Sequence, residues 1–116
     1  MTVMGLLDKQ QIDFLYLLAF LYIQQSKFQL ALYLLRILRL HTANDAKITL
    51  ALIDCLYKAK RYEEASKVMQ SIDTTKLDHK LLVAYYYICS KVLWDLDQKP
   101  ASRAMLQKYL TKRSLL

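Results

Sequence analysis

With 116 residues, 55% of them hydrophobic, and a single Gly and a single Pro, the chain suits one domain with a modest core and lacks the turn-forming residues of sheet-rich folds. Leu, Lys, Gln and Ala, which favour helix, dominate instead, so we predict a single all-α domain over residues 1–116. The net charge of +7 comes from basic residues spread along the chain. We therefore expect a basic surface that suits an acidic protein partner or aids solubility, and no nucleic-acid partner.

The first predicted helix begins after Asp8, a good N-cap, and runs to about Gln25. It contains ten consecutive apolar residues, 14–23. Ten helical residues span about 15 Å, half of a bilayer core, so we predict no membrane insertion. Residues 1–5 have no basic segment and no cleavage site, so we expect no signal peptide.

Three more helices are predicted from the next segments. The second covers about 28–40, with apolar residues at helical spacing. Thr42 or Asn44 is expected to cap the third, which covers about 45–59, and Lys60-Arg61 turns the chain into a fourth helix over about 62–71.

The polar stretch 73–78 separates these helices from the last two. Asp78 is expected to cap a long fifth helix that ends near Leu96, and Pro100 suits the first turn of a sixth helix to about Lys112. Cys55 and Cys89 lie in apolar helical sequence without the spacing of a disulfide framework. We interpret them as buried, reduced thiols of a cytosolic protein.

A short pattern recurs at residues 26–31 and 60–65: a basic residue and an aromatic are followed, three positions after the aromatic, by an alanine. The alanines Ala31 and Ala65 are 34 residues apart, a period typical of tetratricopeptide repeats. A small residue there lets the second helix of a hairpin lie close to the first. Ala104 is predicted to be the third copy, 39 residues after Ala65, so the third repeat would carry about five extra residues.

Through this pattern the chain resembles the tetratricopeptide-repeat (TPR) family over nearly its whole length. The resemblance implies three helical hairpins, at about 12–45, 46–84 and 85–116, stacked into a short right-handed solenoid with a concave apolar groove. The chain departs from the family in two ways. Ser26 and Lys60 replace the family's glycine, and the proline that closes each repeat is missing.

The family's first helices line its groove, which here is aromatic and aliphatic and would suit the apolar face of an amphipathic helix. An intramolecular core remains the alternative for any one of these positions. The predicted client-binding residues are Tyr16, Phe20, Ile23, Leu50, Tyr57, Tyr86, Cys89 and Leu93. Phe14, Leu17 and Leu21 would face a preceding repeat that this frame does not contain, and an uncovered apolar end indicates a partner.

A small three-repeat protein with these features is similar to the type III secretion chaperones, and its length is similar to that of the needle-subunit chaperones (the YscG/PscG-like group). This resemblance implies a bacterial cytoplasmic protein that holds the amphipathic C-terminal helix of the needle subunit and prevents premature polymerisation. A small helical co-chaperone would contact Phe14, Leu17 and Leu21. The alternatives are a translocator-class secretion chaperone and a TPR-like scaffold or adaptor subunit of another complex.

Motifs for catalysis are missing from the sequence. Gly5 is the only glycine, so no glycine-rich phosphate loop can form, and His41 and His79 lack paired metal-ligand spacing. Nothing marks a nucleophile next to a base. We predict no catalytic residue, no metal site, no cofactor and no enzyme activity.

Overall fold

The computed structural model of the protein describes residues 7–42 and 45–114. These residues form six α-helices and one short 3-10 helix, with no strand among them, which confirms the predicted all-α, TPR-like fold class. The helices are α1 (Lys9–Gln24), α2 (Phe28–His41), α3 (Ala46–Lys58), α4 (Tyr62–Met69), α5 (His79–Asp95) and α6 (Lys99–Arg113), and the 3-10 helix is Thr74–Lys76.

Aspartates cap the first helix of each hairpin. The backbone N–H of Gln11 donates to the Asp8 carboxylate at 2.8 Å, and the Gln11 side chain accepts from the Asp8 N–H at 3.0 Å. These two bonds form a capping box, which satisfies two N–H groups that the helix itself leaves unpaired. Asp78 caps α5 through the N–H of Leu81 at 2.8 Å. The predicted caps of α1 and α5 are thus confirmed.

The cap of α3 differs from the prediction. Asp45 accepts from the N–H of Lys47 at 2.9 Å and is the N-cap, because it directly precedes the first helical residue. Thr42 instead donates its hydroxyl to the carbonyl of Leu38 at 2.7 Å, at the end of α2. Asn44, the other predicted cap, lies outside the described residues.

The two helices of every hairpin are joined by the same turn. Ser26, Lys60 and Asp97 have φ of 59°, 63° and 61°, in the left-handed region. In each turn the N–H of the following residue donates to the carbonyl five positions back, at 2.8, 2.8 and 2.9 Å. This is the Schellman arrangement, in which glycine is the usual left-handed residue. The three left-handed positions are separated by 34 and 37 residues, so the third repeat carries three extra residues rather than five.

Five residues after each left-handed position lies a buried small residue, where the paired helices approach closely. These residues are Ala31 and Ala65, both 0% exposed, and Ser102, 5% exposed. The Ser102 hydroxyl donates to the carbonyl of Ser90 on α5 at 2.6 Å, which satisfies it inside the contact. Ala104 is exposed, so the prediction that it is the third small residue is wrong.

The helices form an elongated stack of 48 × 28 × 23 Å. The first helix of the middle hairpin, α3, contacts both α1 and α5, so the three first helices form one layer. One buried cluster runs from α1 to α5, and Met105 of α6 packs against it. Over the described ranges, no helix has the length and apolarity needed to cross a bilayer.

The small-residue assignment can be tested by stability. We expect Ser102→Leu to lower the free energy of unfolding by about 2–4 kcal/mol, because it overpacks the α5–α6 contact and removes the hydrogen bond to the Ser90 carbonyl. Ala104→Leu, two residues away on the surface, should change it by less than about 0.5 kcal/mol. Urea unfolding followed by circular dichroism measures both. Equal costs at the two positions would contradict the assignment.

The left-handed turns lead to a second prediction about stability. Lys60→Gly should stabilise the protein by about 0.5–1 kcal/mol, because it relieves a left-handed cost of about 1–2 kcal/mol and adds about 0.4–1 kcal/mol of chain entropy to the unfolded state. Asp97→Gly should gain less, since aspartate tolerates this conformation better than lysine. Thermal and urea unfolding of the two variants provide the comparison, and a loss of stability in Lys60→Gly would contradict the turn geometry.

Candidate functional site

The eight predicted groove residues divide into surface and core. Phe20 is 49% exposed, and Tyr16, Tyr57 and Tyr86 are half-buried. The other four were predicted to line an open groove, but in the structure they are buried in the core: Ile23, Leu50, Cys89 and Leu93.

The third repeat explains the burial of Cys89 and Leu93. The groove and core positions of α5 were predicted by counting back from Ala104 as the small residue of the third repeat. The small residue is Ser102, so every predicted position in α5 moves by two residues. In the corrected frame Cys89 and Leu93 occupy core positions. The groove positions of α5 fall instead on Ala84, Tyr87, Lys91 and Trp94.

Tyr87, Lys91 and Trp94 were therefore missed by sequence reasoning. Tyr87 is 44% and Trp94 48% exposed. The signal that identifies them is present in the sequence: Asp97 is a residue type that tolerates the left-handed conformation, and a small residue, Ser102, follows it five positions later.

These side chains build a compact site at the junction of α3, α5 and α6. The Lys91 ammonium lies 5.0 Å from the ring centroid of Tyr57 and 4.8 Å from that of Tyr87, within cation–π range of both rings. With Trp94 and Leu106 they line an open depression of about 260 Å³. We call Tyr57, Tyr87, Lys91, Trp94 and Leu106 the aromatic surface.

Tyr57 is fixed within this surface by its environment. Burial is the largest of the effects that raise the pKa of Tyr57 to about 12, followed by the hydrogen bond with Asp95 and the negative charge of that carboxylate. The phenol therefore stays neutral at physiological pH. Its ring also packs on Tyr62, with centroids 5.6 Å apart, so the aromatic surface offers a preformed platform.

A second exposed region lies on the first hairpin. Phe14, Leu17 and Leu21 are 63%, 55% and 42% exposed and share the side of α1 opposite its buried residues. On α2 a similar stripe lies opposite the buried residues of that helix. The α2 stripe consists of Leu30, Tyr33 and Leu40, and Leu40 borders a depression that residues of the second hairpin also line. We call the α1 set, Phe14, Leu17 and Leu21, the apolar end face.

Groups that could bind a metal do not cluster in the described part of the chain, where no three His, Cys, Asp or Glu side chains lie together. Cys55 and Cys89 are buried free thiols, as expected from the sequence. The chemistry available at the two surfaces is therefore that of apolar, aromatic and cationic contacts.

The fold and the three copies of its turn define the class of this protein, a helical repeat of the tetratricopeptide type. The family model of the SusR N-terminal TPR domain matches residues 37–115, more than half of the chain, and the chain belongs to this family. Comparisons with curated proteins and with solved structures found no match. The protein is thus a helical-repeat module for protein interaction, and the matched segment includes the whole aromatic surface.

Thiol chemistry tests the corrected place of Cys89. Burial raises the pKa of Cys55 to about 11 and that of Cys89 to about 12, so we expect neither thiol to react quickly with DTNB at pH 8 until the protein is unfolded. Rapid reaction of a Cys55→Ala variant would show that Cys89 lines an open groove.

The same pKa shifts give a pH dependence. Because both thiols have a higher pKa in the folded than in the unfolded state, the folded state holds more protons, and their contribution to stability is complete below pH 9. It should be lost progressively as pH rises toward 11–12, which urea midpoints measured across this range would reveal.

Proposed function

We propose that this protein is a chaperone of the needle-subunit class, which holds an amphipathic helix of a self-assembling type III secretion subunit in the bacterial cytoplasm. The observation that carries the proposal is the line of exposed and half-buried aromatic residues along the layer of α1, α3 and α5. Phe20, Tyr57, Tyr87 and Trp94 occupy groove positions of the three successive repeats. Their spacing over neighbouring helices suits the apolar stripe of one long partner helix.

The free energy of such binding comes from apolar burial on both partners. Full burial of one large apolar side chain contributes about 1.5–3 kcal/mol, and the four anchors are already about half-buried, so covering the rest of them contributes about 3–6 kcal/mol. Folding a disordered partner helix costs on the order of 2–5 kcal/mol. The partner's own apolar residues, buried in the same contact, must therefore supply much of the affinity. Binding would cover the residues through which the subunit polymerises.

The apolar end face supports a second partner. Phe14, Leu17 and Leu21 are largely exposed on α1, the first helix of the described stack. An exposed apolar patch of this kind marks an interaction site. We propose that a small helical co-chaperone covers it, which gives a heterotrimer with the client. No catalytic step, metal or cofactor forms part of the proposal.

A scaffold or adaptor subunit of another complex is the second candidate. The family match favours it as strongly, because that match defines an interaction module and names no secretion client. A translocator-class secretion chaperone would use the same surfaces. A chaperone releases its client for export, whereas a scaffold remains in a constant assembly.

Co-expression with the needle subunit and small co-chaperone of the same genome tests the proposal. We expect a soluble 1:1:1 complex in which the needle subunit stays monomeric by size-exclusion chromatography. Phe20→Asp should weaken client binding at least about tenfold, because it replaces a buried anchor with a charge. Leu17→Asp should instead release the co-chaperone and leave the client bound.

Each variant serves as a control for the other, since both change an exposed apolar residue of α1 to aspartate. Leu17 and Phe20 are three residues apart, about 60° around the helix, so the comparison shows how sharply the two surfaces are divided. Circular dichroism should show unchanged helicity in both. If the wild-type protein left polymerisation of the needle subunit unaffected, the chaperone proposal would be wrong and the scaffold candidate would stand. If both variants lost both partners equally, the division into two surfaces would be wrong.

A further inference from the structure

The third hairpin carries most of the protein's net positive charge. Residues 79–113 contain seven basic and two acidic side chains, a net charge of +5 out of the +7 of the whole chain. Helix α6 has five basic residues and no acidic residue. The basic residues are spread along the chain, as the sequence indicated, but only two of the ten acidic residues fall in this segment, so the net positive charge is concentrated on the hairpin of α5 and α6.

The cations of this hairpin are held against aromatic rings rather than against carboxylates. Lys91 lies between Tyr57 and Tyr87, and Lys99 lies 4.8 Å from the ring centroid of Trp94. In the described ranges 7–42 and 45–114, the ion pairs within 4 Å all lie in the first two hairpins, and none involves a basic side chain of α5 or α6. The positive charge is thus left for an external anion.

Apolar side chains remain exposed beside these cations. Trp94 is 48%, Leu106 41% and Leu110 48% exposed, and the two leucines lie one turn apart on α6. Leu106 and Trp94 border the depression of about 260 Å³ that Tyr57 and Tyr87 also line. A depression of this size accepts one or two apolar side chains.

We infer that the aromatic surface selects an acidic amphipathic helix. One or two of the helix's apolar side chains enter the depression, and Asp or Glu residues that flank them meet Lys91 and Lys99. Charge-assisted hydrogen bonds to carboxylates are stronger than neutral ones, and the carboxylates also relieve the mutual repulsion of neighbouring cations. The inference rests on the proposed function, because it names the chemistry of the helix that the groove holds.

Single-stranded nucleic acid, which also pairs anions with aromatic stacking, fits this surface less well. Leu106 and Leu110 are exposed beside the rings but offer neither a ring to stack on nor a hydrogen bond. A TPR module is also a protein-binding fold. An oligonucleotide therefore serves as a competing ligand in the test.

Trp94 is the only tryptophan of the chain, so its fluorescence reports on this surface alone. We would titrate the wild-type protein with two tryptophan-free helical peptides of about 18 residues, which share one leucine stripe and carry either Glu or Lys on both flanks. The Glu peptide should shield Trp94 from acrylamide and shift its emission to the blue. The Lys peptide should bind at least about tenfold more weakly, and added salt should weaken only the Glu peptide.

Matched charge reversals on α5 locate the effect. Lys91→Glu should reduce affinity for the Glu peptide by about tenfold or more, and Lys91→Arg should restore most of it. Lys80→Glu makes the same change of net charge on the exposed first turn of the same helix and should alter affinity by less than about twofold. Unchanged helicity in all three variants confirms folding.

The outcomes separate this inference from the proposed function. Equal binding of both peptides with Trp94 shielded would overturn the charge selection and leave helix holding intact. Binding of the Glu peptide with Trp94 still accessible, or equal effects of Lys91→Glu and Lys80→Glu, would place the contact elsewhere and overturn the inference. Shielding by a single-stranded oligonucleotide but by neither peptide would also overturn it. The proposed function fails separately, when the needle subunit itself is not held.

Discussion

The close approach of paired helices is the contact on which the rest of this structure depends. Each hairpin turns through a left-handed residue, and five positions later a small buried residue, Ala31, Ala65 or Ser102, lets the second helix lie against the first. None of the left-handed residues is glycine, so each turn costs on the order of 1 kcal/mol or more. Together, the turn and the small residue set the rotation of both helices about their axes, and therefore determine which side chains are buried.

Much of this fold could be predicted because its signals are local. Helix bounds follow from apolar periodicity and lie within two residues of the predicted ones, and the aspartate caps Asp8 and Asp78 follow from chemistry that acts over three residues. The 3-10 helix Thr74–Lys76 was missed, since three residues carry no periodic signal. The third small residue was missed because serine, unlike alanine, is polar and is buried there with its hydroxyl hydrogen-bonded to Ser90; only its spacing of five residues from Asp97 matches the other two repeats.

The site was less predictable because it depends on which side of each helix faces outward, and not only on where each helix lies along the chain. An α-helix turns about 100° per residue, so an error of two residues in the frame of α5 rotates the assignment by about 200° and exchanges surface for core. Cys89 and Leu93, which were predicted to line the groove, are therefore buried, and Tyr87 and Trp94, which were not predicted, are exposed. Leu50 has a different cause: α3 is the middle first helix, and its neighbours α1 and α5 cover it from both sides.

With the frame corrected, the two exposed regions differ in their physics. The apolar end face lies on α1, where the exposed charges of Lys9 and Asp13 pair with each other at 3.4 Å, so an interface there draws its free energy mainly from apolar burial. The aromatic surface sits on a hairpin of net charge +5, where encounter and affinity depend on ionic strength. A partner suited to one surface is therefore poorly suited to the other. In a chain this short, that difference lets two partners bind two surfaces of one stack without exchanging places.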